Sequence, residues 1–181
     1  MTALILYATH EGQTGKIARF VETELRKAGV ETRLADALDT TTDIDFAGVD
    51  TVILAAPVHE RRHPKLFEAF LTAQQEALER RRTLMLSVSL SAAFPEGLEE
   101  AEEYLVEMKM RCGFDPDAEA LIAGAVRTSK YDYFASQLVR HVVLRDRDYD
   151  PAQGEYEFTD WAALRKTLSD FLATTPTSQD A

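Results

Sequence analysis

With 181 residues, 45% of them hydrophobic and 28% charged, the chain has the composition of a soluble or peripheral globular protein and the length for one domain with a full core. The 20 Lys and Arg stand against 31 Asp and Glu, and the resulting formal charge of −11 argues against nucleic-acid binding, which needs a basic face. Cys112 is the single cysteine, which excludes an intrachain disulfide and points to a reducing compartment, and no apolar run reaches the roughly 18–20 residues that a spanning helix needs.

Leu4–Ala8 is a continuous apolar run, the pattern of a strand buried on both faces. It is short and no basic segment precedes Ala3, so it reads as a strand and not as a signal peptide. The expected location is therefore the cytoplasm, with contact at the inner face of the membrane left open. Thr14 to Ala28 is helical: Ile17, Phe20, Val21, Leu25 and Ala28 recur at helical spacing, and Gly29 is a stop. Val30–Ala35 is a second, weaker strand, and residues 40–48 are a polar connection. Thr51–Ala56 is a third buried strand, ended by Pro57. Pro64 opens a helix through about Arg80, with Leu66, Phe67, Phe70, Leu71 and Leu78 as its inner face and Arg80-Arg81-Arg82 at its end, where cations suit the dipole. Thr83–Leu90 is a fourth strand. Pro95 opens a helix through Cys112, stopped by Gly113. Ala118–Val126 is a fifth strand, Phe158–Ala173 the last helix, and residues 174–181 a frayed tail.

Strands alternating with helices imply an α/β fold: a doubly wound sheet of five parallel strands with helices on both faces. The expected domain is a single one over residues 1–174, with 175–181 as a flexible tail. Ligands in such sheets bind beyond the carboxyl ends of the strands. Between Val126 and Phe158 lies an interval too long for a simple loop, read as an insert over 127–157. Tyr131, Phe134, Leu138 and Val142 recur there at helical spacing, and residues 127–147 carry five Lys or Arg against two Asp. This is a locally basic amphipathic stretch in an acidic protein.

The turn Thr9-His10-Glu11-Gly12-Gln13-Thr14 joins the first strand to the first helix. Backbone N–H groups at a helix start lack partners and the dipole there favours an anion, so the turn suits a phosphate. Thr9 and Thr14 add hydroxyl donors, and Gly12 lets the backbone approach closely. The turn has neither the first glycine of a P-loop nor the three glycines of a dinucleotide fingerprint. What remains, T-x-x-G-x-T, resembles the phosphate loop of flavodoxins, which holds FMN. A plain helix cap at Thr9 or Thr14 is the competing reading.

Further segments recur in order: Ile17-Ala18, Ser87-Val88-Ser89-Leu90, Ile122-Ala123-Gly124-Ala125-Val126-Arg127 and Phe158-Thr159-Asp160-Trp161. With the long insert, they resemble the flavodoxin-type, menaquinone-dependent protoporphyrinogen IX dehydrogenases over residues 3 to 170. The resemblance implies a flavodoxin-like sheet of order 2-1-3-4-5, bound FMN, and oxidation of protoporphyrinogen IX in haem synthesis with a quinone as acceptor. It places Thr9, His10, Glu11, Gly12, Gln13 and Thr14 at the phosphate, and Pro57, Val58, His59, Ser87, Ser89, Leu90 and Ser91 about the flavin ring. No protein side chain need be a nucleophile or strong base, because the flavin carries the chemistry. Arg127 and Lys130 suit the propionates of a porphyrinogen. The stripe of Tyr131, Phe134 and Leu138 reads either as packing on the domain or as a contact with porphyrin and membrane; the local charge and the resemblance favour the second.

At the second flavin loop the chain departs from this family. The family carries aromatic and Gly residues there, whereas Pro57-Val58-His59-Glu60-Arg61-Arg62-His63-Pro64 has no Tyr, Trp or Gly. This leaves two other readings open: an electron-transfer flavodoxin without its own substrate, and an FMN-dependent NAD(P)H:quinone reductase. His10, His59 and His63 read as exposed loop histidines and not as a metal site, since no Cys joins them and the H-x-x-x-H lies in a Pro-ended loop. The run Glu96, Glu99, Glu100, Glu102, Glu103 and Glu107 reads as a solvated helix face; a docking surface for a basic redox partner is the sharper alternative. Cys112 reads as a packed residue.

Overall fold

The computed structural model describes residues 1–39, 41, 43–127 and 155–174. Five parallel strands form one sheet: β1 (Thr2–Tyr7), β2 (Glu31–Asp36), β3 (Thr51–Pro57), β4 (Arg82–Ser89) and β5 (Ala118–Ala123). Their order is β2-β1-β3-β4-β5, so the chain reverses its direction of winding between β1 and β3. The order expected from the resemblance is the one observed.

The unbroken apolar runs have a direct cause. Successive side chains of a strand point to opposite faces, and here both faces are covered. Ala3 and Ile5 of β1, Ile53 and Ala55 of β3, and Leu84, Leu86 and Val88 of β4 pack on one side. Helix α1 (Gln13–Lys27) covers them with Ile17, Ala18, Val21 and Leu25, joined by Leu164, Leu168 and Phe171 of the C-terminal helix, Trp161–Ala173. Leu4, Leu6, Val52, Leu54 and Met85 face the other way. They meet α2 (Lys65–Ala73), α3 (Gln75–Glu79) and α4 (Leu98–Cys112) through Phe67, Leu71, Leu78, Leu105 and Met108. Strand β2 has only β1 as a neighbour and is half-exposed, which accounts for its weak apolar pattern.

Four expectations are corrected. The helix expected from Pro64 to Arg80 is two helices, with Gln74 between them outside helical geometry at φ −105°. Leu66 is not on the inner face: it is 61% exposed, while its neighbour Phe67 is fully buried. Arg82 does not close the helix either. It opens β4 and lies over the Phe171 ring at 4.0 Å, whereas Arg81 donates to the carbonyls of Ala77, Val49 and Phe46. The helix expected from Pro95 begins at Leu98, after two short 3-10 turns, Ser91–Ala93 and Pro95–Gly97. Gly97 is required there, because a Cβ would come within 2.3 Å of the Ser91 carbonyl oxygen.

The expected fifth strand, Ala118–Val126, ends in the sheet at Ala123. Beyond Gly124 the chain leaves the sheet as β6 (Ala125–Arg127), which pairs antiparallel with β7 (Glu155–Glu157). This two-stranded ladder brings together the two ends of the long interval. The last helix, α5 (Trp161–Ala173), starts three residues later than expected, at an Asp160 side chain that accepts the N–H groups of Ala162 and Ala163. Among the described residues no helix is long and apolar enough to cross a membrane.

The reassigned face of α2 is open to test. Phe67→Ala should cost about 3–5 kcal/mol in denaturant unfolding, and Leu66→Ser should stay within about 0.5 kcal/mol of the parent. Equal losses would restore the original face.

Candidate functional site

The carboxyl ends of β1, β3 and β4 open into one cleft of about 390 Å³. It lies where the strand order reverses, the place an open α/β sheet leaves for a ligand. One end is polar. Thr9, His10, Glu11, Gln13 and Thr14 line it. Gly12 is the N-cap of α1 at φ 97°, a left-handed conformation that suits glycine, and it offers the helix no side-chain cap. The Thr9 hydroxyl accepts the Gly12 N–H at 2.9 Å and closes the turn; the first helical bond is Lys16 N–H to Gly12 O at 3.0 Å. Neither Thr9 nor Thr14 caps the helix, so the N–H groups of Gln13, Thr14 and Gly15 have no acceptor within it. An anion seated against them would meet both these donors and the positive end of the dipole.

A latch holds this end from behind. Gln13 Nε2 donates to Thr159 Oγ1 at 2.9 Å and to Glu157 Oε2 at 3.2 Å. Glu157 also pairs with Lys16 and accepts Trp161 Nε1–H at 2.7 Å. Thr159 in turn donates to Ala123 O at 2.7 Å. Burial pushes the Glu157 carboxyl upward, but its three donors Lys16, Trp161 and Gln13 outweigh this and hold it below its ordinary value. The returning strand β7 is thus tied to the first turn of α1. The sequence marks Thr159 only as part of the 158–161 segment and does not mark Glu157 or Lys16; the partners are more than 140 positions apart and no spacing rule links them.

The rest of the cleft is mainly apolar. Pro57, Val58, Val88, Leu90, Gly124 and Ala125 line it, and Pro57–Val58 and Val88 sit side by side on adjacent strand ends, Val58 N–H donating to Val88 O at 2.7 Å. His59, Ser89 and Ser91 reach the lining too, and the Ser89 hydroxyl accepts Ala92 N–H at 3.1 Å, fixing the 3-10 turn. Tyr104 reaches the lining from α4. It supplies an aromatic ring at a site whose nearest loop, 57–64, has none.

That loop has an unusual backbone. His59 and Arg62 exchange both backbone hydrogen bonds, His59 N–H to Arg62 O at 2.9 Å and Arg62 N–H to His59 O at 3.1 Å. Between them Glu60 (φ 49°) and Arg61 (φ 65°) are both left-handed, as in a type I′ turn. Such turns favour Asn-Gly; each larger side chain in this region costs on the order of 1 kcal/mol or more. Two anchors hold the strained pair. Arg61 pairs with Glu100 at 2.5 Å. Arg62 pairs with Glu68, a nearly buried carboxylate that also accepts Arg111 Nη2 at 2.8 Å and Nε at 3.1 Å. Glu100, read from the sequence as part of a solvated run, turns inward. Its carboxyl is held below the usual range by the Tyr104 hydroxyl, then Ser91 and Arg61, against some burial.

Two further sequence readings change. Ser87 does not reach the cleft: it is buried beneath it, on the α2 and α4 side, with its hydroxyl 3.0 Å from His63 Nε2. His63 is not an exposed loop histidine but a buried one, and that burial lowers its pKa to about 4, with Glu68 opposing and Arg111 assisting. His10 and His59 are exposed. Arg127 ends β6, and Lys130, Tyr131, Phe134 and Leu138 lie outside the described residues.

A family model described as a flavodoxin domain matches residues 4–151. The chain belongs to the flavodoxin family. Its cofactor is FMN, and the cleft fits that group: an uncapped helix start for the phosphate and apolar walls for the ring. In structure it resembles oxidised flavodoxin 1 from Bacillus cereus, with a TM-score of 0.58, 15% identity and 97% and 99% of the two chains covered. A putative quinone reductase from Klebsiella pneumoniae gives a TM-score of 0.55 at 16% identity, covering 97% of this chain and 86% of that one. At these identities the likeness is one of fold. In sequence the chain is 25% identical over 162 residues to the protoporphyrinogen IX dehydrogenase [quinone] of Escherichia coli K12, covering 89% of each chain. A protein of the same name from Leishmania major is 24% identical over 174 residues, covering 94% of this chain and 74% of that one.

His63 generates a pH prediction. Its folded pKa, about 4, lies below the unfolded value of about 6.5, so between these values the unfolded chain binds the extra proton. The stability it contributes is therefore complete above pH ~6.5 and falls as the pH drops toward 4, by about 3 kcal/mol at most. His63→Gln should flatten the fall in melting temperature across that window. An unchanged slope would mean that His63 is protonated in the folded protein.

Proposed function

We propose that this flavoprotein oxidises protoporphyrinogen IX and passes the electrons to a quinone. The support is a collinear relationship with the Escherichia coli and Leishmania major dehydrogenases over most of each chain. One structural observation carries it further. Gly124 and Ala125, at the foot of the β6–β7 ladder, line the cleft, so the two strands that bracket the long interval meet beside it. A protein that only shuttles electrons needs no such addition.

In this reading the N–H groups of residues 13–15 and the hydroxyls of Thr9 and Thr14 hold the FMN phosphate. The Glu157 latch keeps Gln13 and Lys16 in place behind them. FMN held there would supply the redox chemistry between porphyrinogen and quinone, so no side chain need act as nucleophile or strong base. Pro57, Val58, Val88 and Leu90 exclude water from the ring. Ser87 is screened from the cleft and serves through His63, holding the base of the 57–64 loop. The basic stretch 127–147 is assigned to contact with the membrane and its quinone on sequence grounds, as are Arg127 and Lys130 to porphyrinogen.

The test is one assay on the FMN-loaded protein. Protoporphyrinogen IX should reduce the flavin, and porphyrin fluorescence should then grow in proportion to a menaquinone analogue consumed. Rapid bleaching by NADH alone would assign the chain to NAD(P)H:quinone reductases. A flavin that exchanges electrons with redox proteins but not with porphyrinogen would make it a shuttle flavodoxin. In the same preparation Glu157→Ala should weaken FMN binding about tenfold or more by freeing Gln13 and Lys16, measured by fluorescence titration.

A further inference from the structure

The Glu60–Arg61 turn is held in a costly conformation at the mouth of the cleft. Both residues line the cleft, and neither is the glycine that their backbone angles favour. Backbone strain of this kind persists where the surroundings over-determine it, and it collects at ligand clamps. Here the surroundings are the two His59–Arg62 backbone bonds, the Arg62–Glu68 pair and the Arg61–Glu100 pair.

The Arg61 end of this arrangement is releasable. Its side chain is 66% exposed, and its guanidinium carbon lies 5.4 Å above the Tyr104 ring. Its partner Glu100 has other donors: Ser91 Oγ at 3.1 Å and the Tyr104 hydroxyl. Were Arg61 to turn away, Glu100 would keep these two and would not be left as an unpaired anion. Arg62, by contrast, is committed to a nearly buried carboxylate and is not free to turn. The loop thus presents one exchangeable guanidinium, fixed in direction by its backbone and resting on an aromatic face. A guanidinium recognises a carboxylate through paired donors.

We propose that Glu60–Arg61 is a substrate clamp in which Arg61 exchanges Glu100 for a propionate carboxylate of the porphyrinogen. This rests on the porphyrinogen reading given above. It assigns a specificity role to the loop that departs most from the family.

The test is equilibrium binding, without turnover, to the FMN-loaded chain. The probes are protoporphyrin IX and its dimethyl ester, in which both propionate carboxylates are replaced by neutral methyl esters. The parent should bind the acid about tenfold or more tightly than the ester. Arg61→Gln should erase that preference while leaving the FMN dissociation constant unchanged. Glu60→Gly should raise the melting temperature, because glycine relieves the left-handed position. A parent that binds acid and ester equally overturns the clamp and leaves the porphyrinogen reading standing. A parent that binds neither overturns the porphyrinogen reading, and the clamp with it. Arg61→Gln that weakens both probes alike, or weakens FMN, shows a structural or flavin contact and overturns the clamp. A lower melting temperature for Glu60→Gly would show that the turn is not strained.

Discussion

Strands β1, β3 and β4 carry apolar side chains to both faces, and the helices cover both. Polar groups are largely excluded from the middle of such a sheet, because each would be buried without water. They collect at the strand ends. The winding reverses between β1 and β3, so the loops after those two strands diverge to opposite sides and leave a gap at the carboxyl edge. The cleft is the consequence. Its polar end and its strained turn are loops leaving that edge, and the strand ends at Pro57 and Val88 supply apolar lining between them.

Two of the exceptions to the apolar interior mark how the 57–64 loop is fixed. Ser87 and His63 are buried and share one hydrogen bond beneath the 57–64 loop, Ser87 Oγ with His63 Nε2, while His63 Nδ1 has no partner among the described residues. Glu68 is buried between Arg62 and Arg111, tying the same loop to α4. Removing one partner of such a group leaves a buried charge and is costly, so the pair fixes geometry more than it adds stability. The loop can then hold two left-handed residues in place. On the other side of the cleft, Glu157 ties the returning β7 to α1. The polar end of the cleft and the 57–64 loop are therefore each braced from outside the sheet.

Much of the fold was legible in the residue pattern. The continuous runs at Leu4–Ala8 and Thr51–Ala56 read as strands buried on both faces, and the turn 9–14 lay between a strand and a helix with Gly12 at its centre. Helix limits were less legible. Nothing in Gln74 or its neighbours signals a break, and Leu66 and Phe67 are both apolar, so only packing reveals which one faces the core. The inward turn of Glu100 was hidden within a run of exposed glutamates for the same reason.

Local sequence by itself determined the periods, and therefore the parallel sheet and the strand-to-helix turn at 9–14, because these follow from backbone geometry and from neighbours a few residues away. The tertiary structure decided which distant groups meet. Tyr104 comes to a loop that lacks aromatics, Ser87 is drawn under the cleft by His63, and Gln13 is joined to Glu157. Each contact joins positions far apart in the chain. Their meeting depends on strand order and helix packing, which no local rule encodes.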